Sequence, residues 1–148
     1  RLVNRRQRLM AVYTTESFIT NKNLYSILPK AESSDLKAIL GIINSRLISY
    51  LYLSQITQAN KDDFPQVTIK DVLALPFPNI KKEQSTLLTK LVEQMLELHK
   101  RITMMQSTAE QEQVQRIIDS TDKQIDALVY ELYGLTQKEI EIVEAASK

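Results

Sequence analysis

The chain has 148 residues, 19 Lys and Arg against 18 Asp and Glu, no cysteine, no tryptophan, one histidine and two glycines. With 43% apolar residues, that length suffices for one domain with a real core. The composition excludes disulfides and thiolate metal sites, leaves no basis for multi-histidine chemistry, and makes Gly41 and Gly134 too isolated to form a phosphate-cradling loop.

The net charge of +1 hides an uneven distribution. Residues 1–30 carry six bases and one acid (+5), residues 31–80 are at −1 and residues 81–148 at −3. A basic head on an acidic body points to a local anionic partner, although a solvated basic terminus would look the same from charge alone. No apolar run approaches the roughly 18 residues of a membrane span, and the basic start leads into no signal-peptide core. A chain opening at Arg1 is expected to be part of something larger.

In chain order, the first thirty residues read as β-like. Residues 9–15, 18–20 and 24–28 are rich in strand formers, with a polar Asn21-Lys22-Asn23 turn and Pro29 at the end. Ser33-Ser34-Asp35 signals a helix start, and apolar residues from Leu36 to Leu51 recur at helical spacing, predicting one helix over about 36–55. Gly41, Ser45 and Ser49 form a small-residue strip on it, expected to pack closely on the sheet. Residues 57–66 read as a loop, Val67-Thr68-Ile69 as a short strand, and 71–75 as one helical turn. Leu75-Pro76-Phe77-Pro78 then enforces extended backbone and marks the boundary between two parts, 1–78 and 79–148.

Beyond it, Leu88, Leu91, Met95, Leu98, Ile102 and Met105 are spaced 3, 4, 3, 4, 3, and Val114, Ile118, Thr121, Ile125, Leu128 and Leu132 are spaced 4, 3, 4, 3, 4. Both patterns have the 3.5-residue period of a coiled-coil seam, and the polar stretch at 106–110 between them predicts an antiparallel hairpin. Gly134 fits a helix C-cap, and Thr136 with Glu139 a capping box opening a last helix to about Ala146. The expected fold is therefore α+β: a small β-sheet with a packed helix, followed by an antiparallel two-helix coiled-coil hairpin and a short C-terminal helix.

Catalysis finds no constellation. His99 flanks the seam and reads as a surface or packing residue. Asp62-Asp63 reads as solvated loop, and Asp119, Asp122 and Asp126 as an ordinary charged helix face shared with Arg116 and Lys123. The basic head is the substantial signal. Arg5, Arg6 and Arg8 precede a predicted strand, and Lys22 with Asn23 occupies the next turn, giving cations for phosphates and an amide for base edges. Lys61, in the loop before Phe64-Pro65, is a further DNA-binding candidate.

Several ordered patches together resemble a known family. Ile42-Ile43-Asn44-Ser45-Arg46-Leu47 is similar to its "LLNSKL" helix, Phe64-Pro65 to its "FP" loop, and Leu75 to Pro78 to its "LPxP" step. The chain resembles the TaqI-like C-terminal specificity domain of adenine-specific DNA methyltransferases and combined type II restriction-modification enzymes. The tail from Asp122 to Thr136 looks like that group's helix end. Pro76, Pro78, Glu83 and Gln84 resemble the "LPxP…EQ" step of type I specificity subunits.

The resemblance implies a noncatalytic target-recognition part over 1–78 and a spacer or docking hairpin over 79–148. Double-stranded DNA would be the partner, together with the methyltransferase or nuclease portion of a cytoplasmic parent protein. S-adenosylmethionine and Mg would belong to that portion, and neither to this chain. The methyltransferase motif of Asn or Asp, Pro, Pro and an aromatic residue is absent. The competing reading is an assembly module that dimerises through its heptad hairpin, with an incidental basic head.

Overall fold

A computed structural model describes residues 8–17, 19–20, 24–29, 35–55 and 68–146. Six helices lie among them: α1 (Leu36–Ile43), α2 (Arg46–Gln55), α3 (Ile69–Ala74), α4 (Lys82–Met104), α5 (Thr108–Tyr133) and α6 (Gln137–Ala146). They make up about 70% of the described residues.

The hairpin forms as the spacing predicts. α4 and α5 pack along each other, joined by Met105–Ser107. Leu88, Leu98, Val114, Ile118, Ile125 and Leu128 are buried. α5 ends at Gly134, whose φ of 65° is the left-handed conformation that glycine adopts without strain. The Gly134 and Leu135 amides donate to Glu131 O and Tyr130 O, and Thr136 and Glu139 close the predicted capping box before α6.

Three buried hydrophobic positions depart from the seam pattern. Val92, Val129 and Tyr130 are also buried, because each hairpin helix has a second neighbour: α1 packs on α4, and α2 packs on α5 and α6. One core cluster consequently contains residues from both sides of the Pro76–Pro78 step, among them Ile42, Ile48 and Tyr52 with Leu88, Val92 and Val129. A second cluster, built on Leu98, Val114 and Ile118, fills the far end of the hairpin. Near the step itself, the Tyr133 hydroxyl donates to Pro76 O at 2.6 Å.

The helix expected over 36–55 is two helices bent by 58° at Asn44-Ser45. The hydrophobic period runs through the break, so spacing does not reveal it. Hydrogen bonding does: the Ser45 hydroxyl donates to Ile42 O at 2.7 Å and accepts from the Ile48 amide at 3.3 Å, ending α1 and opening α2. Gly41 packs closely as expected, but against α4. A Cβ there would lie 2.9 Å from Val92 Cγ2 and 3.0 Å from Leu88 Cδ1.

The α+β expectation is corrected: no strand is present among the described residues, apart from an isolated bridge at Leu9. Residues 9–14 keep the side-chain alternation of a strand, with Leu9, Ala11 and Tyr13 turned inward and Val12 86% exposed. Their described backbone partners are side chains of the helical layer. Ala11 N–H donates to Asn44 Oδ1 at 2.7 Å, Asn44 Nδ2 donates to Ala11 O at 3.0 Å, and Leu9 N–H donates to Ser49 Oγ at 3.1 Å. Strand propensity measures fit to a half-buried surface, and here helices supply that surface. Residues 24–28 are exposed and unassigned. Thr68 and Ile69, expected in a short strand, instead cap and begin α3 through a Thr68–Asp71 capping box. Phe18, Val67 and residues 57–66, expected as a loop, lie outside the described residues.

Candidate nucleic-acid interface

Of the predicted contact residues, Arg8 is described, whereas Arg5, Arg6, Lys22, Asn23 and Lys61 lie outside the described residues. Arg8 sits where the chain meets the bend between α1 and α2. Its Nη1 donates to Asp122 Oδ2 at 2.8 Å, and its Nη2 donates to Asn44 O at 2.7 Å. Asp122 Oδ1 lies 3.4 Å and Asp126 Oδ1 3.9 Å from the same Nη2. Burial opposes the guanidinium charge, but the hydrogen bond and charge of Asp122, reinforced by Asp126, hold its pKa above the ordinary value.

Asp126 anchors the neighbouring element. Its Oδ1 accepts the Arg46 backbone N–H at 2.9 Å, and its Oδ2 lies 3.1 Å from Arg46 Nε. A carboxylate from α5 thereby satisfies an amide in the first turn of α2, where the helix presents free donors and partial positive charge. The Asp126 side chain is only 5% exposed. Burial pushes its carboxyl up to about 6, against the lowering effect of the Arg46 amide and the Arg8 charge. Asp126 also borders an open cleft of about 440 Å³, together with Arg46, Lys123, Tyr130, Glu131 and Glu144.

A second polar anchor holds α1 on α4. Asp35 caps α1 by accepting from the Ala38 amide, and its other oxygen accepts from the hydroxyls of Ser85 at 3.1 Å and of Thr89. These bonds outweigh partial burial and keep its carboxyl below the ordinary range. Lys37 pairs with Glu93 alongside.

Two of the three acids that read as a plain charged face thus have specific partners. Asp122 and Asp126 receive Arg8 and Arg46, while Asp119 accepts from Gln115 on the exposed side. Within the "LLNSKL"-like stretch, Ser45 breaks the helix and Asn44 receives the chain at Arg8 and Ala11. A local signal for Asp126 existed: an acid embedded in Ile125 to Val129, on the apolar side of the helix. His99 is exposed, as its position beside the seam suggested.

The TaqI-like motifs of this sequence thus lie in a helical body whose bent α1–α2 pair receives the chain at Arg8, Leu9 and Ala11. The chain belongs to the family of TaqI-like C-terminal specificity domains, which residues 2–77 match. A protein of Methanocaldococcus jannaschii named "putative type II restriction enzyme and methyltransferase" is 40% identical over 77 residues. That alignment covers 51% of this chain and 6% of the relative's length. No solved structure matches the chain.

Among the described residues no group of three or more His, Asp or Glu side chains is placed to hold a metal ion. Gly41 is packed against α4 and Gly134 caps α5, so neither opens a cradle for a nucleoside. No single described helix is long and apolar enough to cross a membrane. The bent α1–α2 pair reaches the length only when taken together, and its apolar residues form the core.

Proposed function

We propose that this chain is the noncatalytic DNA sequence-specificity part of a restriction-modification protein, setting the register of a separate methyltransferase or nuclease portion on double-stranded DNA. The observation that carries this reading is the specificity-domain match over residues 2–77, which takes in nearly all of the +5 head. In this reading Arg5, Arg6, Lys22 and Lys61 meet phosphates or base edges, and Asn23 offers the bidentate amide that suits adenine. Methyl transfer with S-adenosylmethionine, any Mg-dependent cleavage and extrusion of the target base belong to the catalytic portion, in the cytoplasm.

Titration of a labelled mixed-sequence duplex at several salt concentrations tests the proposal. Binding should weaken steeply with salt, and Arg5→Ala plus Arg6→Ala should lower the logarithmic salt slope by about 2, roughly 1 per lost phosphate contact. Absent binding at low salt, or a slope unmoved by the double substitution, overturns it. An assembly role through the hairpin would need another surface or an exchange of helices, since the α4 and α5 seams close on each other within the chain.

A further inference from the structure

Arg8, the predicted contact residue that lies among the described residues, is already engaged by acids of the same chain. Its side chain is 20% exposed, and Asp122 and the Asn44 carbonyl meet it from two different elements. The backbone just after it is held in the same place, through Leu9 N–H on Ser49 and both Ala11 polar groups on Asn44. Five side-chain-dependent bonds thus converge within four residues of the chain that leaves the basic head. They come from α2, from the α1–α2 bend and from α5, an element that lies beyond the matched residues 2–77.

We infer that Arg8 is a positioning residue, which fastens the chain leaving the basic head onto Asp122 of α5 and so lets the hairpin set where Arg5 and Arg6 meet DNA. The inference rests on the proposed DNA-binding function. It assigns the hairpin a part in recognition itself, beyond spacing or docking. A guanidinium spent on a phosphate would have to leave Asp122 exposed beside a polyanion, whereas a guanidinium held by Asp122 leaves its neighbours to make the contact.

The two roles predict opposite signs for one substitution. If Arg8 contacted DNA, Asp122→Asn would remove a negative charge near a polyanion and free Arg8, so binding would tighten. If Arg8 positions, Asp122→Asn weakens duplex binding by about the same factor as Arg8→Ala, and the double variant is no weaker than either, as expected for residues acting as one unit. Exchange of the two charges, Arg8→Asp with Asp122→Arg, should restore part of the loss.

Amide hydrogen exchange separates this inference from the DNA-binding reading. In Asp122→Asn, exchange at Leu9 and Ala11 should accelerate about tenfold or more while the amides of α4 stay protected, which also shows that the variant is folded. Unchanged protection at Leu9 and Ala11, or tighter DNA binding by Asp122→Asn, overturns the positioning role. Failure of the native chain to bind duplex sinks the proposed function, and the exchange result still decides whether the clamp exists.

Discussion

Asp126 combines three duties in one carboxyl: it caps α2, pairs with Arg46 and lies near Arg8, with almost no access to water. Its pKa of about 6, against an ordinary 3.8, means that the folded chain holds the proton more tightly than the unfolded chain. The stability associated with the protonated group is complete below about pH 4 and is lost as pH rises toward 6. Asp126→Asn keeps an acceptor for the Arg46 amide but cannot ionise. Relative to the native chain it should therefore gain on the order of 1–3 kcal/mol between pH 4 and pH 7, read from urea unfolding at each pH. A difference of the opposite slope would show that attraction from Arg8 and Arg46 outweighs desolvation. Asp35 and Glu139 are shifted downward and favour folding as pH rises, so comparison with the variant is what isolates Asp126. Residue spacing marked Asp122 and Asp126 as neighbours but gave no hint of Arg8, which lies 114 positions from Asp122. Local patterns report what shares a helix face and are silent about partners brought in by folding.

At the scale of elements, the contact between α1 and α4 turns on Gly41. Alanine there would gain helix propensity of about 1 kcal/mol, but its methyl would press on Val92 and Leu88. Val92 is β-branched and buried in a helix, so it yields little, and overpacking typically costs 1–3 kcal/mol, or roughly that range. Gly41→Ala is expected to lower stability by about 1 kcal/mol net, seen as a lower urea midpoint at unchanged slope. A raised midpoint would mean that the α1–α4 gap opens freely. The same elements show why sequence reading succeeded unevenly. Heptad spacing, a C-cap glycine and a capping box are local signals, and α4 to α6 follow them to within a few residues. The strand reading of 9–15 failed for a physical reason: alternation requires one covered face, and it does not specify whether a sheet or a pair of helices covers it. The bend at Asn44-Ser45 was hidden because Ile43 and Leu47 keep the period across it, while the group that breaks the helix is a serine hydroxyl bonded to Ile42 and Ile48, a residue type that helix interiors also accept.

For the whole molecule, the division at Pro78 is a division of sequence rather than of core. The buried face of α1 and α2 rests on Leu88, Val92, Val129 and Tyr130, which all follow the proline step. A chain ending at Pro78 would expose Ile42, Ile48 and Tyr52, now fully buried, and could not bury enough surface to offset its ordering entropy. Such a chain is expected to show no cooperative thermal transition, whereas the 148-residue chain is expected to unfold as one unit. A sharp transition in the truncated chain would assign it an independent core. The hydrogen bond from Tyr133 to Pro76 extends the point. Two residues 57 positions apart meet there, so the whole hairpin becomes a closed ring whose clasp lies on the proline segment. A Leu-Pro-Phe-Pro stretch fastened in this way is a splint. It ties the end of α5 back to the step that opens the hairpin, so both ends of the hairpin are held at one point.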